Sequence, residues 1–226
     1  MNKKALISLI AILVLAGAGY YFFGNKPEEP KNLIYYREPT LTAEEKTQAE
    51  EVLKQAEERV SNLAADASSE EKFNAFTFLG NQYSLLGRLK EARAVYVRAT
   101  DTEPANYSGW ANLAFTETSM GDLEAAHEHF VKATETTFRP DPWMWLIAFE
   151  KEKLGASNKR IEELYLDGIV KTSGFAPDVR KNYAIFLEQE KGDVAGALEQ
   201  WRKALEELPE SQTIKAEIER LEKLVK

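Results

Sequence analysis

Residues 76–104 read FTFLGNQYSLLGRLKEARAVYVRATDTEP. The stretch has no cysteine, no histidine and no glycine-rich phosphate loop, yet its small residues fall at regular intervals. Sliding the sequence against itself by 34 residues sets Phe76 on Trp110, Leu79 on Leu113 and Gly80 on Ala114. The same shift sets Gly87 on Gly121, Ala92 on Ala126, Tyr96 on Phe130 and Ala99 on Ala133. Each match keeps its size class, as a structural repeat requires. The apolar residues follow a helical period with no strand-like alternation, so each unit reads as helix, turn, helix. Gly87 and Gly121 suit left-handed helix stops. Gly80 or Ala114 facing Ala92 or Ala126 is expected to let two antiparallel helices approach closely. Phe76, Leu79, Tyr83, Tyr96 and Phe130 then fill the surrounding space, Ala99 and Ala133 admit the next unit, and Pro104 ends the second helix.

Two looser units follow. In the third, Asp141 is expected to cap and Pro142 to take the first helical position. Ile147, Ala148, Leu154 and Gly155 follow the first-helix pattern. One extra residue in ASNKR then places Ile161, Tyr165 and Gly168 at the small, aromatic and small sites. Ile161 is large for that role, which predicts a splayed pair. The fourth unit carries Tyr183, Ala184, Gly192, Ala197, Trp201, Ala204 and Pro209, again with one extra step before its glycine. The last segment puts Ile214, Ile218, Leu221 and Val225 on one face and reads as a capping helix with a charged outer side.

The pattern Phe76-x-x-Leu79-Gly80-x-x-Tyr83, then Ala92-x-x-x-Tyr96, Ala99 and Pro104, resembles the tetratricopeptide repeat. The resemblance runs from Phe73 to the end. It implies an all-α solenoid of antiparallel helix pairs, with repeats at 73–106, 107–140, 141–176 and 177–209 and a capping helix at 210–226. Residues 40–72 form a preceding helix, opened by a Thr42/Glu45 capping box and carrying a stripe of Ala49, Leu53, Ala56, Val60 and Leu63.

The amino terminus reads differently. Ala5–Phe23 is uncharged, and its nineteen residues span roughly 28 Å as a helix, close to a bilayer's hydrocarbon core. Tyr20–Phe23 suit an interfacial aromatic belt, and Lys3 and Lys4 an inside flank. Residues 1–23 are therefore expected to be a transmembrane anchor, with the repeat domain outside the cytoplasm at a cell envelope. Ala16-Gly17-Ala18 offers a signal-cleavage pattern, but the apolar run continues past it. Residues 24–39, with three prolines, read as a linker whose Leu33–Tyr36 patch is expected to pack on the nearest helix.

Composition narrows the chemistry. A net charge of −8 speaks against nucleic acid. With no cysteine, disulfides and thiolate sites are excluded. His127 and His129, the only histidines, are two apart and point to different faces of a helix, so no metal site is expected. No cofactor and no catalytic set is expected, and the reading is non-enzymatic.

The resemblance implies a groove lined by the first helix of each repeat, taking an extended or helical segment of a protein partner. Carried onto this chain, the lining would be Asn74, Thr77, Asn81, Phe115, Thr118, Trp145, Phe149, Lys181 and Ile185. Phe115, Trp145 and Phe149 would form an aromatic strip. Asn81 and Asn112 match the asparagines of the subfamily that clamps a terminal carboxylate. Thr77, Pro142 and Leu146 stand where its basic residues belong, so that clamp is excluded. The functional expectation is a membrane-anchored scaffold or adaptor. Related anchored proteins serve envelope assembly, secretion, pilus or cytochrome maturation systems. The alternative is a self-assembling structural component, paired through the 42–66 helix or the repeat edge.

Overall fold

The computed structural model describes residues 41–172 and 176–225. Capping chemistry sets its first helix starts. The Thr42 hydroxyl accepts from the Glu45 amide at 3.2 Å, and the Glu45 carboxylate accepts from the Thr42 amide at 2.8 Å. This is the expected capping box, and it opens α1, Ala43–Ser61. The two hydrogen bonds from Thr42 hold the Glu45 carboxyl below its ordinary range. Ser68 and Glu71 repeat the device at the start of α2, Ser69–Leu85. Eight further helices follow among the described residues: α3 (Leu89–Thr102), α4 (Tyr107–Met120), α5 (Leu123–Glu135), α6 (Asp141–Glu152), α7 (Asn158–Lys171), α8 (Pro177–Lys191), α9 (Val194–Glu207) and α10 (Gln212–Leu224). No strand occurs among the described residues.

Glycine ends the first helix of each pair. Gly87, Gly121, Gly155 and Gly192 have φ of 70°, 80°, 62° and 66°, a region that costs any residue with a Cβ. The following amide then bonds back into the helix, from Arg88 to the Tyr83 carbonyl and from Asp122 to the Glu117 carbonyl. In the last two pairs the bonds run from Ala156 to Glu150 and from Asp193 to Leu187.

The chain divides into two units at Ala133/Thr134. In the first, α1 packs on α2, α2 on α3 and α3 on α4. The α1 stripe is buried there: Leu53 and Ala56 join Phe73, Phe76, Leu79, Val95 and Ala99 in one apolar cluster, with Val60 and Leu63 at its edge. Burying Leu53 alone contributes about 2 kcal/mol. Tyr83 donates to Glu57 at 2.7 Å and ties α2 to α1, and burial and that bond push its phenol up. A second cluster of Ala92, Tyr96 and Leu113 joins the first helix pair to α4. The edge of Phe115 on Phe130, 5.1 Å between centroids, joins α4 to α5.

Within the second unit, α6 packs on α7, α7 on α8, α8 on α9 and α9 on α10. Tyr165, Tyr183 and Phe186 stack with centroids 5.3–6.4 Å apart. Glu207 reaches from α9 to the start of α8, where it accepts from the Ala176 amide and from Arg180. It supplies the cap that Ala176 itself lacks.

Several expectations are corrected. No helix among the described residues is long and apolar enough to cross a membrane, which overturns the single-pass membrane placement. The 1–23 and 24–39 segments that carried that placement lie outside the described residues. Asp141 does not cap α6: it is the first helical residue, with Pro140 before it, and its carboxylate takes Arg139 at 3.0 Å. Gly80 makes room for the Tyr96 ring, since a Cβ there would lie 2.5 Å from Tyr96 Cε1. Ile161, large for its site, is nonetheless buried.

Candidate functional site

The charges are unevenly shared between the helices of the first unit. From Phe73 to Leu85, α2 carries none, and α4 carries one, Glu117. By contrast α3 carries Lys90, Glu91, Arg93, Arg98 and Asp101. The lone acid of α4 is removed from the surface. Glu117 is 0% exposed and accepts from Arg93 Nε at 2.9 Å, while His129 Nδ1 lies 2.6 Å from its other oxygen. Trp110 stacks on His129, 5.6 Å between centroids, and donates to the Pro104 carbonyl. A buried carboxylate needs such partners, because leaving it unpaired costs several kcal/mol. His129 is thus a half-buried partner of an acid rather than a surface residue. Among the described residues no cluster fit to hold a metal exists.

Among the accessible residues of α2 and α4, two matching stripes stand out. On α2 these are Asn74, Phe78, Asn81 and Leu85; on α4 they are Ser108, Asn112, Phe115 and Ser119. Both sets step by four, three and four, so each lies along one helix face. Every member is uncharged. Gly109 allows α4 to lie against α2, since a Cβ there would come within 3.1 Å of Phe73 and 3.2 Å of Thr100.

Three polar side chains of the stripes are held by hydrogen bonds. Tyr96 donates to Asn81 Oδ1 at 2.6 Å, which turns the amide oxygen inward. Ser119 donates to the Phe115 carbonyl at 3.0 Å, and Ser108 to Asn106 at 2.8 Å. Their protons are committed, so both oxygens face a partner as acceptors.

The residues expected from the sequence are divided by this geometry. Asn74, Asn81 and Phe115 lie on the stripes. Thr77 lies at the edge of its stripe, with its hydroxyl buried. Thr118 bonds its own helix at Ala114, 2.8 Å away. Trp145, Phe149, Lys181 and Ile185 belong to the second unit. Trp145 and Ile185 are partly exposed, and Lys181 is paired with Asp178 at 2.6 Å. Phe149 is 0% exposed and sits in a run of buried residues from Leu146 to Glu150, so it is a core residue and not part of a groove. The sequence reading did not name Phe78, Leu85, Ser108 or Ser119, and named Asn112 only as a match to a clamp asparagine. The signal that marks them is the absence of charge on the two first helices.

The sequence matches no family model and no curated protein. Several solved structures resemble its fold. MamA has a TM-score of 0.50 at 16% identity, covering 76% of this chain and 97% of its own. Human IFIT1, solved as a dimer with PPP-AAAA, has a TM-score of 0.51 at 18% identity, covering 80% of this chain and 43% of its own. TTC0263, a thermophilic TPR protein of Thermus thermophilus, has a TM-score of 0.47 at 18% identity, covering 77% of this chain and 91% of its own. At such identities the likeness concerns the fold. This chain spans less than half the length of IFIT1.

Proposed function

The chain has the tetratricopeptide-repeat fold, and from that premise we propose that it is a protein-interaction scaffold whose first unit holds a partner segment against α2 and α4. The observation that carries this reading is the pair of equally spaced, uncharged, partly exposed stripes at Asn74, Phe78, Asn81, Leu85 and Ser108, Asn112, Phe115, Ser119. Side chains that are partly exposed, ordered and free of charge lose little on desolvation, which suits a contact surface. The α1 stripe, the basis for pairing chains through the 42–66 helix, is taken up inside the unit and supports no such pairing.

The test places a photo-reactive residue at Asn74 or Ser119, both exposed, or at the exposed Glu124 of α5, away from the stripes. Crosslinking in cells is expected from the first two positions and not from the third. Equal yields from all three would overturn the reading.

A further inference from the structure

We infer that the segment taken by the α2/α4 face is an extended peptide stretch without charged side chains, held without any ion pair. The inference rests on the scaffold reading above and adds the chemistry of the partner.

Three observations carry it. First, the face has no charge to offer. The eight stripe residues are neutral, and the one ionisable side chain of α4 is buried against Arg93 and His129. A charged side chain seated here would lose water and gain no counter-charge, a cost of several kcal/mol. Second, the face offers hydrogen-bonding groups of both kinds. Asn81, with its oxygen committed to Tyr96, presents its amide N–H groups. Ser108 and Ser119, with their protons committed, present acceptor oxygens. An extended backbone carries N–H donors and carbonyl acceptors in alternation and satisfies both, whereas a helix has its backbone groups bonded internally. Third, apolar contact is supplied at Phe78, Leu85 and Phe115, which rewards apolar partner side chains.

The surroundings sharpen the selection. Among the described residues the charges of this unit lie on α1, α3 and α5, at the start of α2, where Glu70, Glu71 and Lys72 precede the stripe, and between helices at Asp66, Arg88, Glu103 and Asp122, apart from the buried Glu117 of α4. A partner segment is therefore neutral where it crosses the stripes, while its flanks are unrestricted.

The experiment pans a displayed library of random twelve-residue peptides on the full chain, then measures binding of the enriched peptides in solution. Enriched peptides are expected to lack charge over their central residues. Their Kd is expected to change by less than about twofold between roughly 50 and 500 mM salt, since no exposed ion pair is there to be screened. Asn112→Asp adds a charge at nearly constant volume, so folding is not at issue. It is expected to weaken these peptides about tenfold or more and to introduce salt dependence and a preference for basic peptides. Charged peptides that bind with steep salt dependence and are still lost in Asn112→Asp would overturn the neutral-partner inference and leave the scaffold reading standing. Peptides that are indifferent to both Asn112→Asp and Phe115→Ala would overturn both. So would failure to enrich any peptide. Competition by a second copy of this chain, seen as concentration-dependent self-association abolished by Asn112→Asp, would assign the face to self-assembly and overturn the inference.

Discussion

In the first unit the bond that closes each helix turn reaches back five residues, from Arg88 to Tyr83 and from Asp122 to Glu117. In the second unit it reaches back six, from Ala156 to Glu150 and from Asp193 to Leu187. One residue is about 100° of helical rotation. An inserted residue at the turn therefore changes which side chain of the second helix meets the first. In the first unit the tightest approach is Gly80 beneath the Tyr96 ring. In the second the glycine set against a neighbouring helix is Gly168, whose missing Cβ would sit 3.2 Å from Trp143 Cγ, while Ile161 is buried. The two units also differ in charge. The first helices of the first unit are nearly bare, while α8 carries Asp178, Arg180, Lys181, Glu188, Glu190 and Lys191. One repeat plan thus supports a neutral face in one unit and an ion-paired surface in the other.

The largest expected effect comes from the acid that keeps the first unit's face neutral. Arg93 comes from α3 and His129 from α5, and both meet Glu117 on α4. The double variant Arg93→Ala/His129→Ala strands a carboxylate that is 0% exposed, at a cost of about 3–5 kcal/mol. Chemical denaturation of the full chain measures it. A loss below about 1 kcal/mol would mean that Glu117 is solvated and that the face is not neutral. Arg160→Ala is the matching change in the second unit, where Glu150 takes both guanidinium bonds at 2.8–2.9 Å.

The glycines rank next. Gly80→Ala has to displace a ring that is itself buried and bonded to Asn81. Overpacking of this kind costs about 1–3 kcal/mol, more than the gain of roughly 1 kcal/mol in helix propensity. Gly168→Ala needs Trp143 to give only a few tenths of an ångström, so the net change is expected within about 1 kcal/mol of zero. Equal losses at the two sites would mean that the two contacts are equally tight.

Legibility in the sequence follows the same division. The regular units declared themselves through size classes held at a fixed shift, because close helix packing tolerates only certain volumes at Gly80, Ala92 and Ala99. The capping box at Thr42 and the helix stops at Gly87 and Gly121 were legible because each answers a local backbone need. Asn74, Asn81 and Phe115, carried over from the resemblance, stand on the partly exposed or exposed faces of α2 and α4. Phe149 was misplaced although it keeps the 34-residue register of Asn81 and Phe115, because a carried-over position does not report how far the neighbouring side chains close over it. Glu117 was not legible as a buried acid, since a residue name does not reveal the two partners that the fold brings to it from other helices.

Acid separates the two units by the smallest effect. In the first unit, the carboxylates held below the ordinary range are Glu45 and Glu71 at capping boxes and Glu91 beside Arg88, all local. In the second, Glu162 is held down by Lys191 and then by Tyr183, and Glu188 by Arg220. These bonds tie α7 to α8 and α8 to α10. A lowered folded-state value means that the stabilisation is complete above the ordinary value of 4.5 and is lost as pH falls through the folded value. Below that window the first unit is expected to fray at helix starts, while the second loosens between helices. Amide hydrogen exchange at about pH 3 and pH 6, corrected for intrinsic rates, reads the difference. Protection is expected to fall across α7, α8 and α10 but only in the first turns of α1, α2 and α3. Glu162→Gln should reproduce part of the loss in the second unit at neutral pH. Uniform loss across both units would show that the bridges at Glu162 and Glu188 hold nothing that the local ones do not.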